Sequence, residues 1–289
     1  MMVPNSPGGG YDLTARTAVK IMEDDGLTGR VEVFNVVGDS GAVAMARLMN
    51  EAGNDELMMT MGLGVVGATI THGAGVRVSD ATALAKLIED PGALVVPADS
   101  PLRTVGEFVA AWRADPGSVT VGGGSSPGGP DHLLAMELAD AVGVDPREVD
   151  YVTHDGGGDL LTALLGAEVT VSTSSPGEFL AQIAAGQLRV LAVSSAARVP
   201  GVDAPTLRES GIDLTFANWR GVLAPPGVSA DARANMIELL TRLHGTAAWQ
   251  AALARNGWTD AFVTGTDFER FLAAQDDRVS ATLAELGLT

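Results

Sequence analysis

At 289 residues with a net charge of −18, the chain is long enough for two lobes that each bury a core. Only two lysines occur, Lys20 and Lys86, so there is no basic face to displace phosphate counterions. This excludes nucleic acid as a partner and argues against docking on an anionic membrane. The absence of cysteine excludes thiol catalysis and disulfides, and no apolar run approaches the roughly 20 residues of a membrane span.

Apolar runs alternate with amphipathic stretches along most of the chain. In order, residues 12–24 predict a helix, 31–34 a strand, 41–52 a helix, and 57–61 and 93–96 strands. Then follow a helix at 104–114, a strand at 119–121, a helix at 131–142 and a strand at 149–152. Helices at 157–165 and 177–185 enclose a strand at 169–171, and 188–193 is a further strand. Short buried strands between helices of this length imply parallel α/β sheets. After residue 228 the pattern reads as wholly helical, at 229–243, 246–256 and 266–287. Thr266-Asp267-Phe268-Glu269 reads as a capping box on the last helix.

Two stretches read as crossings between lobes, Val96-Pro97-Ala98-Asp99-Ser100-Pro101 and the Pro/Gly-rich segment from Trp219 to Gly227. They imply one discontinuous lobe, 1–98 with 223–289, and one contiguous lobe, 99–222. The fold class is α/β, two lobes joined by two hinge strands into a clamshell.

Ser-Pro-Gly-Gly occurs twice, at 6–9 and 126–129, each time between an apolar run and a helical pattern. Such strand-to-helix turns leave backbone N–H groups at a helix N-terminus, where an anion binds. For the first turn the donors are Gly8, Gly9, Gly10 and Tyr11, and the competing reading is a turn that needs glycine only for backbone freedom. Asp12 is expected to cap this helix and to pair with Arg16. The second turn holds a formal G-x-S-x-G with Ser126 in the nucleophile place. The next residue, Pro127, has no N–H to form an oxyanion hole, and no triad context surrounds His154 or His244.

Gly62-Leu63-Gly64-Val65-Val66-Gly67 is a formal G-x-G-x-x-G, but its helix is cut short at His72-Gly73 and no acidic strand end follows. It reads as a ligand-facing turn, with no dinucleotide cofactor implied. Ser172-Thr173-Ser174-Ser175 is either a donor-rich ligand turn or a capped helix start. His154-Asp155-Gly156 is a further polar turn. The histidines lack metal-ligand spacing, and His132 is open between a cleft and a core role. Arg220 is open between a ligand clamp and a surface arginine stacked on Trp219.

The opening Val-Pro-Asn-Ser-Pro-Gly-Gly-Gly-Tyr-Asp-Leu-Thr-Ala-Arg resembles the start of mature solute receptors of tripartite tricarboxylate transporters. The resemblance continues through the block 122–132, Leu165-Gly166-Ala167-Glu168-Val169, Gly186 to Val193, Ala204 to Gly211 and Trp219 to Gly227. It implies a type II-like periplasmic-binding-protein clamshell that captures a small carboxylate outside the cytoplasm, as a monomer. The ligand would pass to membrane permease subunits, with no chemistry done on it and no cofactor or metal. Carried over, Ser6, Gly8, Gly9, Gly10 and Tyr11 hold the carboxylate; Gly62, Leu63 and Arg220 are ligand candidates from their own sequence context, not from the resemblance. Ser125, Ser126, Gly128 and Gly129 lie opposite, and Asp155, Gly156, Thr173 and Ser174 shape specificity; His132 is a candidate only from its place in the first turn of a helix. The chain begins with only a stub of its first strand and shows no signal sequence, which reads as a trimmed start. A serine hydrolase using Ser126 and a ligand-sensing module for a signalling partner are the alternative functions.

Overall fold

The computed structural model describes residues 1–154 and 156–289. In chain order the elements begin with β1 (Met2–Val3), α1 (Gly10–Asp24), β2 (Phe34–Asn35), α2 (Ala42–Asn50), β3 (Met59–Gly62), α3 (Leu63–Thr71) and β4 (Thr82–Pro91). Next come β5 (Ala93–Pro97), α4 (Val105–Ala114), β6 (Val121–Gly123), α5 (Pro130–Ala141), β7 (Tyr151–Thr153), α6 (Gly157–Leu165), β8 (Val171–Ser174), α7 (Leu180–Ala184) and β9 (Leu188–Val193). The chain closes with β10 (Ala217–Ala224), α8 (Ala230–His244), α9 (Ala247–Asn256), β11 (Thr259–Thr264) and α10 (Gly265–Glu285). It divides into two units, Met1–Glu89 with Trp219–Thr289, and Asp90–Asn218.

The first unit is built on a sheet ordered β11-β4-β10-β3-β1-β2. β1 runs parallel to β2 and β3, while β10 is antiparallel to β3 and β11 antiparallel to β4. Its core joins Ala15 and Met22 of α1 to Leu84 and Leu87 of β4, Val222 of β10, Leu240 of α8 and Trp249 of α9. Each large apolar side chain fully buried there contributes about 1.5–3 kcal/mol. α9 stops because Gly257 takes a left-handed φ of 66° and the Trp258 N–H returns to Leu253 O at 3.0 Å. The chain is thereby turned into β11.

The second unit has a sheet ordered β7-β6-β8-β5-β9. β6 is parallel to β7 and β8, and β5 is antiparallel to β8 and β9. Ala93, Val95, Leu160, Leu164, Phe179 and Val193 form part of its core. α4 starts on a true capping box: the Thr104 hydroxyl accepts the Glu107 N–H, and the Glu107 carboxylate accepts the Thr104 N–H, both at 3.1 Å.

Several expectations need correction. The sheets are mixed, not parallel, because an antiparallel strand covered on both faces, such as β5, reads in sequence like a buried parallel one. The segment after residue 228 contains β11, an edge strand of exposed and half-buried residues with no clear alternation. The capping box at Thr266 is absent: α10 begins at Gly265, which puts Thr266 inside the first turn, and Thr264 at the cap makes no side-chain bond. The strand expected at 31–34 survives only as Phe34–Asn35. The division between units also lies elsewhere, within β4 and at the start of β10, so β5 belongs to the second sheet. Punctuation by Pro and Gly marks turns, whereas the chain passes between units in continuous strands.

Candidate functional site

α1, α3 and α5 start at the C-terminal ends of β1, β3 and β6, the end of an open α/β sheet where ligands bind. The two Ser-Pro-Gly-Gly turns have one geometry. In each the first glycine has a left-handed φ, +87° at Gly8 and +84° at Gly128, which is why glycine stands there. The second glycine donates its N–H to the turn's own serine carbonyl, Gly9 to Ser6 O at 3.2 Å and Gly129 to Ser126 O at 2.8 Å. It then serves as N-cap, its carbonyl accepting from Leu13 or Leu133 at 2.9 Å. A Cβ on Gly9 would strike the Asn5 side chain, and one on Gly129 would lie 2.7 Å from Ser125.

The first glycine's N–H finds its acceptor four residues on. Gly8 donates to Asp12 Oδ2 at 2.9 Å, and Gly128 donates to His132 Nδ1 at 3.2 Å. The Asp12 carboxylate also accepts from Arg16 Nε and Asn35 Nδ2, each at 2.9 Å. Burial opposes its charge, but Arg16, the Gly8 N–H and Asn35 together hold it below the usual carboxylate range. Asp12 thus pairs with Arg16 as expected, but it lies inside the first turn and is not the N-cap. His132 accepts at Nδ1, so its imidazole is the neutral Nε2–H tautomer, and burial pushes its pKa down to about 4. The ring meets Tyr151 edge-on at 4.9 Å.

These bonds alter the expected anion cradle, since the N–H groups of Gly8, Gly9, Gly128 and Gly129 are all committed within their turns. At the start of α5, Pro130 has no N–H and the Asp131 N–H goes to Ser125 Oγ at 3.0 Å. At the start of α1, Gly10 and Tyr11 occupy helix positions for which no intrahelical carbonyl exists. The two turns, alike in sequence, therefore differ in the donors they present.

Arg220 lies on β10 opposite Gly62 and is 8% exposed. Its guanidinium packs onto the start of α1, so a Cβ on Gly10 would stand 2.5 Å from Nη2. Nη1 donates to Thr14 Oγ1 at 3.4 Å, and the charge faces the Trp258 ring at 5.9 Å. Trp219 does not stack on Arg220. It meets Phe271 edge-on and donates from Nε1 to Gln275 Oε1 at 3.1 Å.

The Tyr11 ring packs against Gly62 at the start of α3, and burial pushes its pKa up against the nearby Arg220 charge. The G-x-G-x-x-G is therefore a helix start packed against a side chain of the first unit itself. Leu63 is fully buried, and a Cβ on Gly62 would strike the Trp219 carbonyl oxygen. Both belong to the packing of the first unit.

In the second unit Ser125, Gly156, Thr173 and Ser174 gather around the loop after β6. Tyr151 Oη donates to Ser125 O at 3.0 Å, and the Gly156 N–H reaches Gly124 O at 3.2 Å. Thr173 Oγ1 donates to Asp131 O at 2.8 Å, and Ser174 Oγ to Glu178 Oε2 at 3.0 Å. Ser6 and Ser126 are exposed, while Asp155 lies outside the described residues. Asp131 and Tyr151, to which these residues are tied, were not among the expected site residues. The one sequence sign was an acidic residue in the first turn after Pro130. Among the described residues no group of three or more His, Cys, Asp or Glu is placed to hold a metal ion.

Residues 16–288 match the tripartite tricarboxylate transporter family receptor, TctC. A UPF0065 protein from the gbd 5′ region of Cupriavidus necator is 30% identical over 200 residues, covering 68% of this chain and 58% of that protein. The chain thus aligns with somewhat under two thirds of that relative's length. A TctC solute-binding protein from Polaromonas, solved without ligand, has a TM-score of 0.78 at 26% identity, covering 99% of this chain and 97% of its own. MatC from Rhodopseudomonas palustris, solved with malate, shares the fold with a TM-score of 0.80 at 21% identity, covering 98% and 97%. With its α/β units and glycine-turn helix starts, the chain belongs to the tripartite tricarboxylate transporter receptor family.

Proposed function

We propose that this protein is an extracytoplasmic solute receptor that binds a small carboxylate and delivers it unchanged to the permease subunits of a tripartite transporter. The observation that carries the reading is the start of α1. The N–H groups of Gly10 and Tyr11 open the helix there, and the Arg220 guanidinium packs onto Gly10. A helix N-terminus and a guanidinium both favour an oxyanion, and each charge-assisted hydrogen bond is worth about 1.5–3 kcal/mol. Ser6 lies on the same turn. Malate bound to the R. palustris relative of the same fold supports an organic acid as the ligand class. In the second unit, Ser125, Ser126, Gly156, Thr173 and Ser174 set which acid is taken. Gly8, Gly9, Gly62 and Leu63 shape the first unit's turns, and Gly128, Gly129 and His132 shape the second's.

Calorimetric titration of the whole chain with malate, citrate and the neutral diamide of malate tests this. The acids should give saturable heats and the diamide none. Equal behaviour of acid and diamide would overturn carboxylate recognition.

A further inference from the structure

We propose that the side-chain amide of Asn5 is a specificity-determining group of the first turn. It selects 2-hydroxy acids, in which a hydroxyl stands on the carbon next to a carboxylate. The inference rests on the carboxylate reading above and deepens it.

The two like turns differ at one side chain. In the second turn Ser125 Oγ accepts the Asp131 N–H at 3.0 Å and lies against Gly129. Asn5 holds the place of Ser125, and Tyr11 holds the place of Asp131. The Asn5 amide likewise lies against its turn's second glycine, for a Cβ on Gly9 would strike Nδ2 and stand 3.0 Å from Cγ. Yet it makes no such cap. Oδ1 is buried without a hydrogen-bond partner, and α1 starts with no side-chain cap. Asn5 is fixed through its backbone, its carbonyl accepting from Asn35 Nδ2 at 2.8 Å.

A buried acceptor left without a donor costs stability, so one placed at an anion-binding helix start points to a ligand that brings the donor. A carboxylate accepts only. It suits the N–H groups of Gly10 and Tyr11 and the Asn5 Nδ2, but it has nothing to give Oδ1. The proton must come from a group beside the carboxylate. An ammonium there would face the Arg220 guanidinium, which packs onto Gly10, and the positive end of α1. A hydroxyl supplies the proton without the charge. In a 2-hydroxy acid the donor and acceptor oxygens sit on neighbouring carbons, so they meet the two edges of one amide. A site built in this way rejects the analogue that lacks the hydroxyl, because its own polar group is then left unpaired.

Calorimetric titration of the whole chain with two pairs of acids tests this. Malate and succinate differ only in such a hydroxyl, as do citrate and tricarballylate. Wild type should prefer the hydroxy acid of a pair by at least ~10-fold, and in Asn5→Leu the preference should shrink to within about 3-fold. Aspartate should bind more weakly than malate. Equal affinities within both pairs in wild type overturn the proposal, as does a preference that survives in Asn5→Leu, or aspartate binding more tightly than malate. If Asn5→Leu does not fold, Asn5→Ala takes its place, and the wild-type preference is read without any variant. If none of the four acids binds wild type, the carboxylate reading fails and takes this inference with it. If both members of a pair bind alike, only this inference fails.

Discussion

The Gly128 N–H donates to His132 Nδ1 at 3.2 Å, so the second glycine turn is closed by an imidazole that must stay neutral. Protonation would put a hydrogen where the acceptor lone pair sits. With a folded pKa of about 4 against an ordinary 6.5, the unfolded chain takes up the proton first as pH falls. His132 thus contributes stability above about pH 6.5 that is lost between there and pH 4, to a total of about 3 kcal/mol. Urea unfolding at steps from pH 4.5 to 7.5 should show this slope, and His132→Gln, which accepts but does not titrate, should flatten it. An unchanged slope in the variant would place the titrating group elsewhere.

The matching position in the first turn is Asp12, whose carboxylate takes the Gly8 N–H, Arg16 and Asn35. Asp12→Ala strands a backbone donor and an amide, and should cost about 2–3 kcal/mol in equilibrium unfolding. Asp12→Asn keeps an acceptor for Gly8 and should cost about half as much. Because the folded carboxyl lies below its ordinary range, the wild-type advantage should shrink as pH falls through about 4 and below. A constant difference between wild type and Asp12→Asn from pH 7 to 3 would contradict this.

Gly10→Ala separates the ligand role of the first turn from its architecture. Gly10 is helical and needs no special φ, but a Cβ there would lie 2.5 Å from Arg220 Nη2 and 2.9 Å from Cζ. The guanidinium must shift, and carboxylate affinity should fall by about 10- to 100-fold, the equivalent of one charge-assisted hydrogen bond. The melting temperature should change little by comparison. Calorimetry with malate on both proteins decides it: unchanged affinity would remove Arg220 from the site.

Gly62→Ala probes the G-x-G-x-x-G. Its Cβ would be driven into the Trp219 carbonyl oxygen, a backbone atom of the neighbouring strand, and would lie 3.0 Å from Tyr11 Cε1. Overpacking of this kind costs about 1–3 kcal/mol, visible as a lower urea midpoint. Full stability in the variant would mean that β3 and β10 can part without penalty.

The sequence by itself determined the α/β class, the glycine turns and the i,i+4 pair of Asp12 with Arg16. Each rests on local chemistry: hydrophobic period, a positive φ that only glycine adopts freely, and side chains one helical turn apart. It also excluded the nucleic-acid and thiol chemistries, which depend on composition alone. What it could not decide was where each donor goes. Ser125 and Asn5 hold the same place in two like turns, yet only the serine hydroxyl caps the helix that follows. Tyr11 packs against Gly62 at the start of α3 from a different helix, and Arg220 reaches Gly10 across more than 200 residues of chain. β11 was illegible because an edge strand need not alternate, and the passages between units because long strands run through them unbroken. Such long-range pairings are fixed by packing, and so is the choice between a free N–H and a committed one.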